Sequence, residues 1–239
     1  MWSPLTDPII RTENICKEYN DQIILQDINI TVERGRMLLI EGRSGSGKTT
    51  LLNILGCMDT PTRGKIYIDE KDITKMNHRQ LSQLRLHKIG FIFQDHNLIE
   101  SLTVEENILL PMRIAKHHNG HQRVEELLEN FGIGNIRHNK PKQISGGEKQ
   151  RAAIARALAN EPEILLADEP TASLDLENSE TVLEAFKKAN KEYGATVVMA
   201  SHDAFLKGGT EFRHFIMKGK NVVIYEHPCE EKGLEEDME

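Results

Sequence analysis

Nine consecutive residues decide how this chain folds: Gly42-Arg43-Ser44-Gly45-Ser46-Gly47-Lys48-Thr49-Thr50. A short apolar run at residues 37–40, typical of a strand buried on both faces, precedes them, and a helical pattern follows. The spacing Gly-x-x-x-x-Gly-Lys-Thr between a strand and a helix is a P-loop. Its glycines let successive N–H groups turn toward phosphate oxygens, and the helix N-terminus adds positive potential. We therefore expect all nine residues to contact a nucleoside triphosphate, with Lys48 at the β- and γ-phosphates and the Thr49 hydroxyl on Mg²⁺.

The composition excludes several classes of protein. The chain has 239 residues, 38% of them hydrophobic, and a formal net charge of −7, which argues against nucleic acid as a partner. Its three scattered cysteines (Cys16, Cys57 and Cys229) predict reduced thiols rather than a disulfide framework. No run approaches the roughly 18 apolar residues of a membrane span, so we expect any work at a membrane to need a partner.

The hydrophobic pattern along the chain predicts an α/β fold. Residues 9–32 alternate between apolar and polar side chains, which favours antiparallel strands, whereas four short apolar runs favour a parallel sheet. Residues 94–162 are helical in character. We therefore expect a core with an antiparallel β subdomain (about 9–93 and 163–229), a helical subdomain (about 94–162) and an acidic flexible tail (230–239). Local patterns predict a turn at 61–64 and helices at about 73–86 and 179–193.

Two acidic residues follow the apolar run at residues 164–167. A P-loop nucleotidase needs an acidic side chain at the end of a neighbouring strand to hold Mg²⁺, and Asp168 fits that role. Glu169 beside it can polarise the attacking water as a general base. The alternative is a pair of ordinary acids at a strand end, which the P-loop upstream makes less favourable.

A second glycine-rich segment precedes an alanine-rich helix. Ser145, Gly146, Gly147 and Glu148 begin that helix, where backbone donors and the helix dipole form an anion site. One chain needs a single triphosphate cradle, so a second site makes sense if it serves a nucleotide held by another subunit. A glycine turn that merely caps a helix is the alternative.

These motifs together resemble the ABC-type ATPases over nearly the whole chain. Residues 144–148 resemble the family signature, with Ile144 and Glu148 in place of its usual Leu and Gln, and residues 164–170 resemble the Walker B strand. The remaining matches are Gln94 (Q-loop), Asp175 in Ser173-Leu174-Asp175 (D-loop), His202 (switch histidine) and Tyr19 (the aromatic that stacks on adenine). Each of these four residues taken singly has an ordinary structural alternative. Gln94 also fits a strand-end amide and Asp175 a helix N-cap. His202 also fits a structural histidine and Tyr19 a packed tyrosine.

The resemblance implies a RecA-like P-loop NTPase core, Mg-ATP as the ligand and ATP hydrolysis as the activity. Two copies, or this chain and a related ATPase, would pair head to tail around two ATP molecules. Ser145, Gly146, Gly147 and Glu148 of one would then face the P-loop of the other. Gln94 is implied at the metal and the attacking water, and His202 at the γ-phosphate.

Residues 51–64 and 89–99, with 103–108 and 110–112 behind them, resemble the branch for lipoprotein release and macrolide efflux, which also includes antimicrobial-peptide resistance transporters and the cell-division ATPase. That branch implies a separate integral membrane permease and a cytoplasmic place at the inner face of the membrane. Two alternatives remain at this point: a soluble ABC ATPase not coupled to transport, and a regulatory module that binds ATP without turnover. His117, His118 and His121 are expected to form a solvated surface run rather than a metal site.

Overall fold

The computed structural model describes residues 8–117, 119–172, 174–202, 212–218 and 221–225. The expected acidic tail at 230–239, Cys229, Ser173 and His118 lie outside these ranges. The strands are β1 (Pro8–Tyr19), β2 (Gln22–Ile28), β3 (Thr31–Glu33), β4 (Met37–Gly42), β5 (Arg63–Ile68), β6 (Lys71–Asp72), β7 (Ile89–Ile92), β8 (Ile164–Asp168), β9 (Thr196–Ser201), β10 (Phe212–Lys218) and β11 (Asn221–Tyr225). The helices are α1 (Lys48–Leu55), α2 (His78–Lys88), α3 (Val104–Ile114), α4 (Gly120–Asn130), α5 (Gly146–Ala157) and α6 (Leu176–Tyr193).

The described strands form two sheets, and the larger one carries the P-loop. Its order is β11-β10-β4-β9-β8-β7, and every neighbouring pair is parallel except β10 with β11. Strands β4, β8 and β9 are buried along almost their whole length, which explains why the sequence shows continuous apolar runs there. The predicted α/β fold with a parallel sheet is confirmed.

The smaller sheet is antiparallel and explains the alternating pattern near the N-terminus. Its order is β2-β1-β5-β6, with β3 also paired to β1. The β1–β2 hairpin turns through Asn20 and Asp21, both at positive φ (47° and 63°), and Tyr19 pairs with Gln22. A two-residue turn with both residues left-handed matches the twist of the flanking strands.

Between β7 and β8 the described residues form helices joined by loops, and none of them belongs to a strand. Helices α3 and α5 both begin with capping boxes, Thr103 with Glu106 and Ser145 with Glu148. Two short 3-10 turns, Gly134–Ile136 and Pro141–Gln143, separate α4 from α5. These helices share one apolar core with the outer face of the parallel sheet. The exact subdomain boundaries stay a prediction.

Three local predictions need correction. Helix α2 begins at His78 rather than near residue 73, because Asn77 and Gln80 form a capping box that fixes its start. Arg63 and Gly64 belong to β5 instead of a turn, and Gly64 has φ +95° where a Cβ would lie 2.4 Å from the Asn14 carbonyl oxygen. Helix α6 starts three residues before residue 179.

An ion network joins the two sheets at the amino end of the parallel strands. Lys88 Nζ lies 2.7 Å from Glu163 Oε1 and also binds Asp69, while Arg34 binds both carboxylates from the other side. The hydrogen bond from Lys88 lowers the pKa of Glu163. Partial burial opposes ionisation of Asp69, but hydrogen bonds from Lys88 and Arg34 leave its pKa below the usual value. The network holds the antiparallel sheet against the parallel one.

No helix within the described ranges is both long enough and apolar enough to cross a membrane.

We expect Lys88→Met to lower the free energy of unfolding by about 1 kcal/mol at pH 7, because Asp69 and Glu163 then share only Arg34. Both carboxyl pKa values are lowered by folding, so this stabilisation is full above the unfolded-state value of about 4 and is lost as the pH falls below it. Urea unfolding at pH 7 and pH 3 measures the difference. Lys142→Met is the matched control, because its bridge to Glu100 is largely exposed. An equal loss of unfolding free energy in Lys88→Met and Lys142→Met would contradict a stabilising role of the ion network.

Candidate active site

Four strand ends meet at one edge of the parallel sheet, and the candidate residues follow them. The register pairs Glu41 with Ser201, Asp168 with Ala200, and Ile92 with Ala167. The residues just beyond these strands therefore converge above the sheet edge. In open parallel sheets this edge is where ligands bind.

The P-loop runs from the end of β4 into α1. Gly47 is the N-cap of α1 at φ 96°, and a Cβ there would lie 2.9 Å from Leu25 Cδ2 of the antiparallel sheet. A Cβ on Gly42 would lie 2.6 Å from Ser46 Oγ inside the loop. Gly47 is favoured by its left-handed backbone conformation, whereas at Gly42 an added Cβ would collide with the Ser46 side chain. The loop carries Arg43, Ser44, Gly45, Thr49 and Thr50 at the open edge of the site.

Lys48 is buried although it is charged. Its ammonium donates to the carbonyl of Gly42 at 2.8 Å and lies 3.3 Å from Glu169 Oε1. The side chain is 6% exposed, so these oxygens take the place of water around the charge. The P-loop lysine and the acidic pair thus face each other across the strand ends.

Asp168 ends β8 beside the P-loop. Asp168 Oδ1 is buried with no partner among the described residues. Burial raises the pKa of Asp168, and the Thr49 hydrogen bond opposes that shift. A buried carboxylate oxygen without a donor is a position that favours a cation.

Glu169 links three strand ends. Its Oε2 lies 2.9 Å from His202 Nδ1, and its Oε1 faces Lys48. Its backbone has φ 46°, an uncommon value for a residue with a side chain, and its N–H donates to the carbonyl of Ala200 at 2.8 Å. The side chain is held on both oxygens and on its backbone, which orients the carboxylate.

Gln94 lies on the segment that follows β7 and is exposed. The next residues are fastened to α5, because Arg156 donates to the carbonyls of His96 (2.8 Å) and Asn97 (2.5 Å). Burial lowers the pKa of Arg156. The Gln94 segment and the helix that begins at Ser145 are therefore mechanically joined.

Tyr19 ends β1 with its ring 45% exposed, so it is not a packed core tyrosine. Its hydroxyl donates to Asp59, and this bond, with some burial, raises the pKa of Tyr19 to about 12.

Ser145 and its neighbours form the start of α5, away from the P-loop of the same chain. Ser145 Oγ donates to Glu148 Oε2 at 2.9 Å, and the same oxygen accepts from the Ser145 N–H at 2.8 Å. The bond from the Ser145 backbone lowers the pKa of Glu148. Ser145 and Gly146 are exposed, so the first turn of α5 presents its donors to the surface.

Asp175 is the N-cap of α6 and accepts from the Asn178 N–H at 2.8 Å, which matches the N-cap alternative drawn from the sequence. Asn178 Nδ2 also donates to Asp175 Oδ1 at 2.9 Å. A Cβ on Gly147 would lie 2.2 Å from Asn178 Oδ1. The starts of α5 and α6 thus pack together through Asn178.

The structure brings the P-loop, Asp168, Glu169 and His202 together, whereas the Ser145 group is not in contact with them within one chain. Sequence reasoning missed Asn178 and Lys17. Asn178 stands three residues after an N-cap aspartate, which is a detectable signal. Lys17 gives none, because its partner Asp59 is 42 residues away. Within the described ranges no group of three or more His, Cys, Asp or Glu side chains could hold a metal ion, and His118 lies outside them.

Comparisons with known proteins agree with this geometry. A family model described as ABC transporter matches residues 25–172. The lipoprotein-releasing system ATP-binding protein LolD of Aquifex aeolicus is 46% identical over 217 residues, covering 90% of this chain and 96% of LolD. The bacitracin export ATP-binding protein BceA of Halalkalibacterium halodurans is 42% identical over 201 residues, covering 82% and 79%. A dimeric post-hydrolysis structure of the ATP-binding cassette MJ0796 bound to ADP and Pi has a TM-score of 0.82 at 38% identity, covering 92% of this chain and 99% of that one.

We expect Gly147→Ala to lower the free energy of unfolding by about 1–3 kcal/mol, because the new methyl group displaces Asn178 from Asp175. Gly146→Ala is the matched control. Its methyl group would meet only Leu174 Cδ2 at 3.3 Å, and alanine favours the helix by about 0.5–1 kcal/mol. Urea unfolding measures the free energy of unfolding of the two variants. Equal values for Gly147→Ala and Gly146→Ala would contradict the tight packing of Gly147 against Asn178.

Proposed function

Because the chain belongs to the ABC transporter family, as an ATP-binding and ATP-hydrolysing subunit, we propose that Glu169 is its general base and that the edge containing Lys48, Asp168 and His202 holds Mg-ATP. The observation that carries this proposal is the Glu169 carboxylate, which lies within 3.3 Å of Lys48 and 2.9 Å of His202. Three elements far apart in sequence thus converge on one carboxylate. Few arrangements other than phosphoryl transfer need a lysine, a histidine and an acid at a phosphate-binding loop.

The triphosphate lies along the P-loop in this proposal. Backbone N–H groups of residues 42–50 and the N-terminus of α1 neutralise the phosphate oxygens. Lys48 moves its ammonium from the Gly42 carbonyl to the β- and γ-phosphates. His202 contacts the γ-phosphate, while Tyr19 stacks on the adenine. Catalysis of this kind depends on positioning and electrostatic stabilisation.

The residues present fit Mg²⁺. The Thr49 hydroxyl, the Asp168 carboxylate and the Gln94 side-chain carbonyl are hard oxygen ligands, and Asp168 Oδ1 is the buried oxygen that lacks a donor. Held by these residues, Mg²⁺ would supply positive charge to neutralise the phosphates. Thr49 and Asp168 lie close enough for the threonine side chain to lower the pKa of the Asp168 carboxyl group.

Glu169 accepts a proton from the attacking water. The ring and the backbone N–H of His202 both bind Glu169 Oε2, so the other oxygen can be directed at the water. The product phosphate leaves when the site opens. A change in the contacts of Gln94 with the metal and the water would shift the segment that follows Gln94. Arg156 of α5 is hydrogen-bonded to this segment.

Two copies complete the site in the proposed ATP-bound state. Ser145 and Gly146 are exposed in the first turn of α5, and Gly147, which is buried, follows them in the same turn. The backbone donors of this turn therefore suit a γ-phosphate held by a partner chain. Asp175, at the adjoining start of α6, lies on the same surface. A homodimer or a pair with a related ATPase both satisfy this geometry. ATP closes the dimer and hydrolysis reopens it.

A groove beside the Gln94 segment is the proposed docking place for an integral membrane permease. It lies between α2, β7, α3 and α5, and Leu86, Phe91, Phe93, Leu110 and Ile114 line its apolar part. Phe91 and Phe93 stack at 4.4 Å, and Ile114 is 60% exposed. An exposed apolar groove connected to Gln94 can pass closure of the dimer to a partner. The chain would then lie at the cytoplasmic face of the membrane.

The transported molecule is proposed to belong to the amphiphilic class. The relatives are named for lipoprotein release, macrolide export and bacitracin export. The alternative, a soluble ABC ATPase without a permease, is not favoured by any of these relatives. The substrate is recognised by the permease and not by the residues described above.

We expect Glu169→Gln to bind ATP and to hydrolyse it about 10²- to 10⁴-fold more slowly, because an amide cannot accept the proton from water. The arrested protein should accumulate as an ATP-dependent dimer. Nucleotide affinity, phosphate release and light scattering measure the three properties. Glu161→Gln, an exposed acid, is the control. Hydrolysis by Glu169→Gln at the wild-type rate would remove Glu169 from its role.

We expect Ile114→Asp to keep the ATPase activity of the isolated protein and to lose association with membranes from the source cells. The charge enters the groove without touching the strand ends. Arg113→Asp changes the neighbouring exposed residue outside the groove and serves as the control. Co-sedimentation and ATPase rates with and without membranes are the measurements. Full membrane association of Ile114→Asp would locate the permease contact elsewhere.

A further inference from the structure

Tyr19 stands on a rigid part of the fold. It is the last residue of β1 and pairs with Gln22 across a two-residue turn, so its backbone is fixed by the hairpin. Its ring is nevertheless 45% exposed. A large exposed ring on a fixed backbone still has rotamer freedom, which other contacts must remove.

Lys17 occupies one face of that ring. It lies two residues earlier on the same strand, before an irregularity in the pairing of β1 with β2 between Lys17 and Glu18. Its ammonium is 4.6 Å from the centroid of the Tyr19 ring, and the residue is 8% exposed. A cation at this distance is attracted to the ring face. One face of the ring is therefore in contact with Lys17, while the residue as a whole stays exposed.

Asp59 binds both side chains. Its Oδ1 accepts from Lys17 Nζ at 2.7 Å, and its Oδ2 accepts from the Tyr19 hydroxyl. Lys17 Nζ also donates to the Thr60 carbonyl at 2.7 Å. The Asp59 N–H donates to the Asn53 carbonyl in α1, the helix that begins at the P-loop. The three side chains thus join the hairpin to the phosphate-binding element.

We propose that Asp59 and Lys17 are positioning residues for the nucleotide base: they fix the Tyr19 ring with its hydroxyl turned inward and a single face open to a purine. This inference rests on the proposed stacking of Tyr19 on the base. It adds that the base is bound by a pre-oriented ring face, which reduces the ordering needed on binding. It also adds that the hydroxyl takes no part in recognition, so adenine and guanine nucleotides are affected alike.

Tyr19→Phe tests the orientation, because it keeps the ring and removes only the hydrogen bond to Asp59. The expected result is a rise of about three- to tenfold in the KM for ATP with kcat unchanged, since the phosphates are not touched. The KM for GTP should rise by the same factor. An unchanged KM overturns the proposal, and so does a change in the ratio of the two KM values, because the hydroxyl would then contact the base.

Tyr67→Phe is a matched control in the same sheet. The Tyr67 hydroxyl donates to Glu13 Oε2 at 3.2 Å, and Arg11 lies 3.9 Å from the centroid of its ring. Tyr67, Glu13 and Arg11 thus repeat the combination of a tyrosine, an acid and a cation, and they lie outside the proposed nucleotide site. Its loss should leave both KM values unchanged, and a rise equal to that of Tyr19→Phe would show a general effect on the sheet.

Asp59→Asn and the double variant separate orientation from stability. Asp59→Asn should raise the KM for ATP in the wild-type background and by a smaller factor in the Tyr19→Phe background, because both changes act on the same ring. Equal factors in the two backgrounds overturn the proposal. Thermal unfolding shows whether Asp59→Asn folds, and Tyr19→Phe alone decides if it does not, since that change leaves no buried charge unpaired.

Tyr19→Ala distinguishes this inference from the function on which it rests. If Tyr19→Ala raises the KM strongly while Tyr19→Phe does not, the ring stacks on the base and Asp59 does not orient it. If Tyr19→Ala leaves the KM unchanged, Tyr19 does not bind the base at all.

Discussion

The register of the parallel sheet is the constraint on which the site depends. β4 lies between β10 and β9, and β8 follows β9, so that Gly42, Asp168 and Ser201 end at nearly the same level. A shift of one residue in any of these pairs would turn each following side chain to the opposite face of the sheet. The burial of β4, β8 and β9 on both faces prevents such a shift, because apolar side chains would then lose their packing.

The site keeps features that oppose stability. Glu169 has a positive φ, Asp168 is buried with an oxygen that lacks a donor, and Lys48 is buried against carbonyls and one acid. Each costs free energy in the folded chain. Ion pairs at the other end of the sheet and two apolar cores offset that cost. Such a distribution is common where a site is arranged for ligand binding instead of for stability.

Much of the fold and part of the site could be predicted from local patterns. The P-loop is local, because its glycine spacing, its lysine and its hydroxyl lie within nine residues. The buried strands also have a local signal. The apolar pattern predicts a start of α2 that is too early, because Ile73 is buried in the core without being helical. The capping box at Asn77 marks the observed beginning of the helix. The roles of single site residues remain predictions.

Residue spacing within short segments is enough to identify the family, the α/β class and the loop that binds phosphate. Folding of the chain sets which distant side chains face one another: Glu169 with Lys48 and His202, and Asp59 with Lys17 and Tyr19. Every one of those pairs joins residues that are at least 33 positions apart in the sequence. Their contact follows from strand order and register, which depend on the packing of the whole core and not on any local pattern.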